Sequence, residues 1–271
     1  MARIHTFRTT HYDICSEKLK GVLGEKKILF LTDLHNNSYG KENEYLIKAI
    51  EEQNPDLIFV GGDMLIGQKD EPLDVAGNLL RKLVSVCPVY CANGNHEQRM
   101  KEFPHLYGDG YEKYHDDLQK NGVIFLENEH VDFMWDTVPV RVFGFEIPVR
   151  FYKRFKKHNL DENQMKELLG QPDDDMYNII LAHNPVFADT YLSWGADLVL
   201  SGHLHGGIVR LPKLGGVITP QFGLFPKYSG ELTNVKVKSV VVSKGLGTHT
   251  IKFRLFNPPE LIVLHLSGNQ K

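Results

Sequence analysis

Five short apolar runs along the chain each stop at a polar residue. Ile28-Leu29-Phe30-Leu31-Thr32 ends at Asp33, and Leu57-Ile58-Phe59-Val60 ends at Gly61-Gly62-Asp63. Val89-Tyr90-Cys91-Ala92 ends at Asn93-Gly94-Asn95-His96. Ile179-Ile180-Leu181-Ala182 ends at His183, and Leu198-Val199-Leu200 ends at Ser201-Gly202-His203. Runs of this length that are apolar at consecutive positions read as strands buried on both faces. The amphipathic stretches at 44–53 and 74–85 have the length of crossover helices between parallel strands. The polar residues then fall at strand carboxyl ends, where open α/β sheets hold their ligands. The pattern predicts five strand ends aimed at one rim.

From 231 onward the period changes. The runs are short and alternating, as in Val235-Lys236-Val237-Lys238, at 250–256 and at 261–266, with no long helical pattern between them. This predicts antiparallel strands. Joined to the preceding strands, they imply a pair of packed sheets with helices outside. Residues 3–15 also alternate and are expected to pair with the second sheet. There is no internal repeat, low-complexity tract or Pro/Ser-rich linker. A length of 271 residues fits one large domain or two small ones.

Composition narrows the class. Hydrophobic residues at 42% and charged residues at 24% are ordinary for a globular protein and exclude a disordered chain. A net charge of -3 gives no support to general nucleic-acid binding. Cys15, Cys87 and Cys91 are too few and odd in number for a disulfide framework. A reduced, cytoplasmic setting fits them. Residues 1–18 carry charges throughout, unlike a signal peptide, and no segment reaches the ~20 apolar residues of a spanning helix. A soluble cytoplasmic protein is expected.

The rim residues are Asp33, His35, Asp63, Asn95, His183, His203 and His205. Two carboxylates, one amide oxygen and four imidazoles, with no thiolate, suit Zn, Mn or Fe. Seven ligands are too many for one tetrahedral ion and a natural number for two if one carboxylate bridges. Two ions ~3.5–4 Å apart lower the pKa of a shared water and clamp a phosphoryl group. Singly, each motif has an ordinary reading. Asp33-x-His35 and Gly62-Asp63 are common turn chemistry, and a plain turn would also explain Gly94-Asn95-His96-Glu97. In Gly202-His203-Leu204-His205 the glycines permit the backbone to bend, so that one histidine could reach one metal while the other turns toward the second. The force lies in all five motifs ending predicted strands of one chain.

As a set, Asp33-x-His35, Gly62-Asp63, Gly94-Asn95-His96-Glu97, Ala182-His183 and Gly202-His203-x-His205 resemble the calcineurin-like metallophosphoesterase superfamily. The resemblance implies an α/β fold of two stacked mixed β-sheets flanked by helices, a four-layer sandwich with a di-metal site at the strand C-terminal rim. It implies one domain over 1–271. It also implies roles: Asp33, His35 and His205 hold the first ion, Asn95, His183 and His203 the second, and Asp63 bridges. His96 is then the non-ligand acid, with Glu97 as its orienting partner. The activity implied is metal-dependent cleavage of a phosphomonoester, phosphodiester or pyrophosphate bond by in-line attack of a bridging hydroxide.

A narrower resemblance, to the YaeI/YkuE-like bacterial branch, extends through Gly206-Gly207-Ile208-Val209-Arg210-Leu211-Pro212, 222–230, Gly245-Leu246-Gly247-Thr248 and Arg254 to Glu260. Members of that branch often begin with a membrane anchor or export signal, which these residues do not show. The implied substrate is small and phosphorylated, lipid-linked or nucleotide-like. A silent scaffold of the same fold and a nuclease are the competing readings. The protein Ser/Thr phosphatases are disfavoured, because Asn93 stands where they carry a phosphate-gripping Arg.

Other residues are open to two readings. Residues 150–158 interleave Arg150, Lys153, Arg154, Lys156 and Lys157 with Phe151, Tyr152 and Phe155. A solvated segment anchored by its aromatics is expected, with weak contact to anionic membrane as the alternative. Tyr228 and Phe222 sit in a loop that either lines the substrate pocket or simply packs. His105 either lines the pocket or is a surface histidine. Arg254 either binds substrate phosphate or pairs with Glu260.

Overall fold

Alternate residues of the apolar runs enter different cores. The computed structural model describes residues 6–152, 158–207, 210–211, 215–216, 226–248, 254 and 257–268. Its first half runs β1 (Arg8–Cys15), β2 (Lys26–Leu31), α1 (Glu44–Gln53), β3 (Leu57–Val60), α2 (Asp74–Leu83), β4 (Val89–Cys91), α3 (Asn95–Glu102), α4 (Pro104–Tyr107), α5 (Gly110–Lys120) and β5 (Val123–Phe125). The second half runs β6 (Glu129–Trp135), β7 (Val138–Phe145), α6 (Glu162–Leu169), β8 (Tyr177–Ala182), α7 (Ala188–Trp194), β9 (Leu198–Ser201), β10 (Arg210–Leu211), β11 (Gly215–Gly216), β12 (Leu232–Val235), β13 (Lys238–Val242) and β14 (Glu260–Ser267).

The strands form two mixed sheets, with a separate β10–β11 pair. One has the order β1-β14-β2-β3-β4-β5, the other β12-β13-β9-β8-β7-β6. In the first, β2 to β5 are parallel neighbours, and β14 lies antiparallel to β2 and parallel to β1. In the second, β7, β8, β9 and β13 are parallel, with β6 and β12 antiparallel at the edges. Ile28, Phe30 and Phe59 meet Val140, Ile179 and Leu200 between the sheets. On the outer face of the first sheet Leu29, Leu31 and Val60 pack with Leu46, Leu80 and Leu118 of α1, α2 and α5. On the outer face of the second, Phe143, Ile180 and Val199 pack with Met165, Tyr191 and Trp194 of α6 and α7. The result is a helix–sheet–sheet–helix sandwich. The period-two pleat produces it, because each central strand must be apolar on both sides.

Three expectations are corrected. The five motif strands do not share a sheet: β2, β3 and β4 belong to one, β8 and β9 to the other. Residues 3–15 contribute β1, which pairs with β14 in the first sheet rather than the second. Burial on two faces says nothing of which partner a strand takes. The alternating Val235-Lys236-Val237-Lys238 is the turn of the β12–β13 hairpin, with Lys236 at φ +56°. Of 250–256, only Arg254 lies within the described residues. Among the described residues no helix is long and apolar enough to cross a membrane.

Candidate metal centre

The motif residues occupy the loops that leave the parallel strands. Asp33 and His35 follow β2, Asp63 follows β3, and Asn95 and His96 open α3 after β4. His183 follows β8, and His203 and His205 follow β9. The site therefore forms where strand ends of the two sheets meet. Asp33, His35, Asp63, His203 and His205 all have φ between +46° and +67°. That left-handed region costs a side-chain-bearing residue roughly 1 kcal/mol or more, and such strain concentrates where structure is held for function. Backbone bonds hold it here: Asp33 N–H donates to Gly62 O at 2.9 Å, His35 N–H to Asp63 O at 3.1 Å, and Gly202 N–H to His183 O at 3.1 Å. Gly62, at φ +86°, lies so close to the Gly94 backbone that a Cβ there would collide with it. The glycines of two motifs thus let two ligand loops interlock.

The ligand atoms converge. Nε2 of His35 and Nε2 of His205 are 3.1 Å apart, and they face Asp33 Oδ1 at 3.8 and 3.4 Å. His183 Nε2 lies 3.1 Å from Asp63 Oδ2 and 3.8 Å from Asp33 Oδ1. Asp63 Oδ2 is also 3.8 Å from His35 Nε2, so it faces both histidine groups. The sets Asp33–His35–His205 and Asp63–His183–His203 each offer ligand atoms within 4.8 Å of one another, and so does His35–Asp63–His96. The donor set fits cations. Asn95 Oδ1 is buried with no hydrogen-bond partner, an arrangement costing roughly 1–3 kcal/mol unless something positive meets it. His183 Nδ1 lies 2.7 Å from Gly61 O. A carbonyl only accepts, so Nδ1 carries a proton and Nε2 is the nitrogen turned to the centre.

His96 is oriented differently. Gly67 N–H donates to His96 Nδ1 at 2.8 Å, and His96 Nε2 lies 3.9 Å from Asp63 Oδ2. The Glu97 carboxylate accepts from Asp63 N and Leu65 N, both at 2.8 Å, and from Gly94 N at 3.1 Å. It braces the Asp63 loop and the start of α3. The orienting contact expected from Glu97 on the His96 ring is supplied at Nδ1 by Gly67.

Burial and mutual charge set the protonation of the cluster. Burial pushes the Asp33 carboxyl up to about 6, with Asp63 adding to the rise. Burial would also raise Asp63, but the imidazoles of His183, His96 and His35 outweigh it and hold Asp63 well below the carboxylate range. For His183 burial is overcome by Asp63 and Asp33, which lift it to about 10, so a cation at Nε2 would displace a proton there. Burial, with His183, drives His203 down to about 3. Burial and His35 drive His205 well below its ordinary value. His203 and His205 thus stay neutral at pH 7, the state a metal ligand needs.

The remaining sequence candidates separate. Tyr228 is buried in the outer core of the second sheet and donates to Asp189 Oδ1 at 2.7 Å. His105 is exposed on α4. Glu260 accepts from Lys244 N at 3.0 Å and from Thr10 Oγ1 at 2.9 Å and pairs with Lys244 Nζ. Arg254 is not its hydrogen-bond partner; Nη2 of Arg254 bonds to Gly247 O and lies 3.2 Å from His205 Nδ1. Phe222 and residues 153–157 lie outside the described residues. Phe151 and Tyr152 are buried, as anchors would be. The Tyr152 ring also stands 5.0 Å from that of His203, edge to face. Gly67 and Tyr152 border the centre with no motif to mark them.

The family profile of calcineurin-like phosphoesterases matches residues 26–207. A metallophosphoesterase of Aquifex aeolicus is 30% identical over 264 residues, which is 96% of this chain and 92% of that protein. YkuE of Bacillus subtilis is 27% identical, covering 97% of this chain and 87% of YkuE. Phosphodiesterase YaeI of Escherichia coli is 27% identical, covering 89% and 82%. The fold is shared with the sulfate thiohydrolase SoxB of Thermus thermophilus, at a TM-score of 0.50 and 15% identity over 91% of this chain and 57% of that one. The chain belongs to the calcineurin-like phosphoesterase family, and is a metal-dependent hydrolase of phosphoester bonds.

Proposed function

We propose that this calcineurin-like phosphoesterase acts on a small phosphorylated substrate through two ions, one at Asp33, His35 and His205 and the other at Asn95, His183 and His203, with Asp63 between them. When bound, such a pair supplies positive charge for the phosphoryl oxygens and a water acidic enough to attack phosphorus at neutral pH. The observation that carries the reading is the convergence of the aspartate and histidine atoms, with Asn95 Oδ1 left a buried acceptor without a hydrogen-bond partner next to His96, whose N–H donates to Asp63 Oδ1.

The protein's own contribution follows from its contacts. Gly61 O fixes the His183 tautomer at 2.7 Å. His96 N–H donates to Asp63 Oδ1 at 2.9 Å, leaving Oδ2 toward His183 and His35. His203 N–H donates to Asp33 Oδ1 and Oδ2, both at 3.1 Å, orienting that carboxylate. His96 presents a proton at Nε2 and is placed to protonate the leaving oxygen, a contribution of roughly 10²–10⁴ in rate. A silent scaffold would need neither the full ligand set nor His96.

The test is hydrolysis of p-nitrophenyl phosphate and bis-p-nitrophenyl phosphate by metal-stripped protein refilled separately with Mn, Zn and Fe. Metal-dependent turnover is expected. No turnover with any metal, despite two bound ions, would overturn the catalytic reading.

A further inference from the structure

We propose that Arg99 is a substrate-binding residue that takes an anionic phosphoryl oxygen beyond the two that a pair of metal ions engages, an inference that rests on the two-metal reading above. Arg99 lies on α3 four residues after Asn95 and three after His96, so the three share a helix face. Helical side chains lean toward the N-terminus, which tilts the guanidinium toward those residues. The helix packs against the 3-10 turn Val149–Tyr152, and the Tyr152 ring is 5.0 Å from His203. The helix that carries Arg99 therefore borders the Asn95–His183–His203 side.

Two other arginines carry an acidic partner. Arg81 pairs with Asp117, and Arg141 pairs with Asp132 at 2.6 Å. Glu127 and Glu146, near α3, are taken by Lys101 at 2.8 and 3.0 Å. Arg99 is half-buried and has no carboxylate partner among the described residues. An arginine so placed offers a planar pair of donors that matches phosphoryl oxygens. A phosphodiester has two non-bridging oxygens, one for each ion. A phosphomonoester brings a third on the same phosphorus, and a pyrophosphate diester brings further oxygens on the neighbouring phosphorus. Arg99 selects for that additional oxygen.

The test compares wild type, Arg99→Ala and Arg99→Lys, all metal-loaded, with melting temperature and metal content confirming an intact fold and centre. Calorimetry measures binding of inorganic phosphate. Kinetics use p-nitrophenyl phosphate, bis-p-nitrophenyl phosphate and UDP-glucose. In Arg99→Ala, phosphate should bind roughly ten- to hundredfold more weakly, the loss of one charge-assisted contact, with some affinity regained in Arg99→Lys. The ratio of kcat/KM for the monoester over the diester should fall roughly tenfold by the same argument. A loss concentrated on UDP-glucose instead would also support the proposal and assign the oxygen to a neighbouring phosphate. Unchanged phosphate affinity, or equal losses on all three substrates, overturns it. If wild type turns over none of the substrates yet binds phosphate in an Arg99-dependent way, the catalytic reading fails and this one stands.

Discussion

The backbone N–H of Gly67 donates to Nδ1 of His96 at 2.8 Å. Because Nδ1 accepts, Nε2 is the protonated nitrogen of the neutral ring, and it points toward Asp63 Oδ2 at 3.9 Å. From there it can hydrogen-bond the leaving oxygen and offset its developing charge. His96→Ala should therefore lower kcat by roughly 10²–10⁴ while metal content stays near that of wild type. Parallel kinetics and elemental analysis check this. A matching loss of metal would instead make His96 a ligand, through the His35–Asp63–His96 set.

Asp63 and Asn95 should differ in what they hold. Asp63 Oδ2 is 3.1 Å from His183 and 3.8 Å from His35, one histidine from each set. On the proposed assignment Asn95 serves only the ion at His183 and His203. Asp63→Ala should lose both ions, and Asn95→Ala only one. Elemental analysis after dialysis reads this directly, and an Asp63→Ala protein that keeps two ions would refute the bridging role.

The candidate site was legible because each apolar run stops where its chemistry begins, as at Val60 before Gly61-Gly62-Asp63. Their division between two sheets was not. Ile28 pairs with Leu264, a contact across most of the chain that local pattern cannot encode. Glu97 makes its contacts away from the His96 ring for a local reason. Adjacent helix residues do not face each other, so Glu97 turns from His96 to Asp63 N and Leu65 N. Gly67 and Tyr152 reach the centre only through tertiary packing, against His96 and His203, and no local pattern marks them.

Glu97 carries a stability prediction. Its carboxylate is buried, which pushes it up to about 7 with help from Asp63, yet it satisfies three backbone N–H groups. In Glu97→Gln an amide NH₂ must replace one accepting oxygen and face a donor. A loss of about 1–3 kcal/mol is expected, seen as a lower urea midpoint with an unchanged m-value. An unchanged midpoint would mean that these N–H groups find other acceptors.

Lys101 makes a pH-dependent prediction at a separate cluster. Its ammonium reaches Glu127 at 2.8 Å and Glu146 at 3.0 Å, and Asn93 Nδ2 donates to the same two carboxylates at 2.6 and 2.7 Å. Burial would raise the Glu127 carboxyl, but the bonds from Lys101 and Tyr111 outweigh it and hold it below its unfolded value of 4.5. A carboxylate whose folded pKa is depressed contributes stability that is present above the unfolded pKa and lost as pH falls through the folded one. Lys101→Met should therefore destabilise the protein at neutral pH, by about 1 kcal/mol given that water screens this partly exposed lysine. The gap to wild type should narrow as pH falls below 4.5 and the Glu127 carboxyl protonates and no longer needs a cation. Urea denaturation of both proteins at neutral pH and near pH 4 tests this. A gap of the same size at both pH values would trace the loss to the packing of the lysine stem instead of its charge.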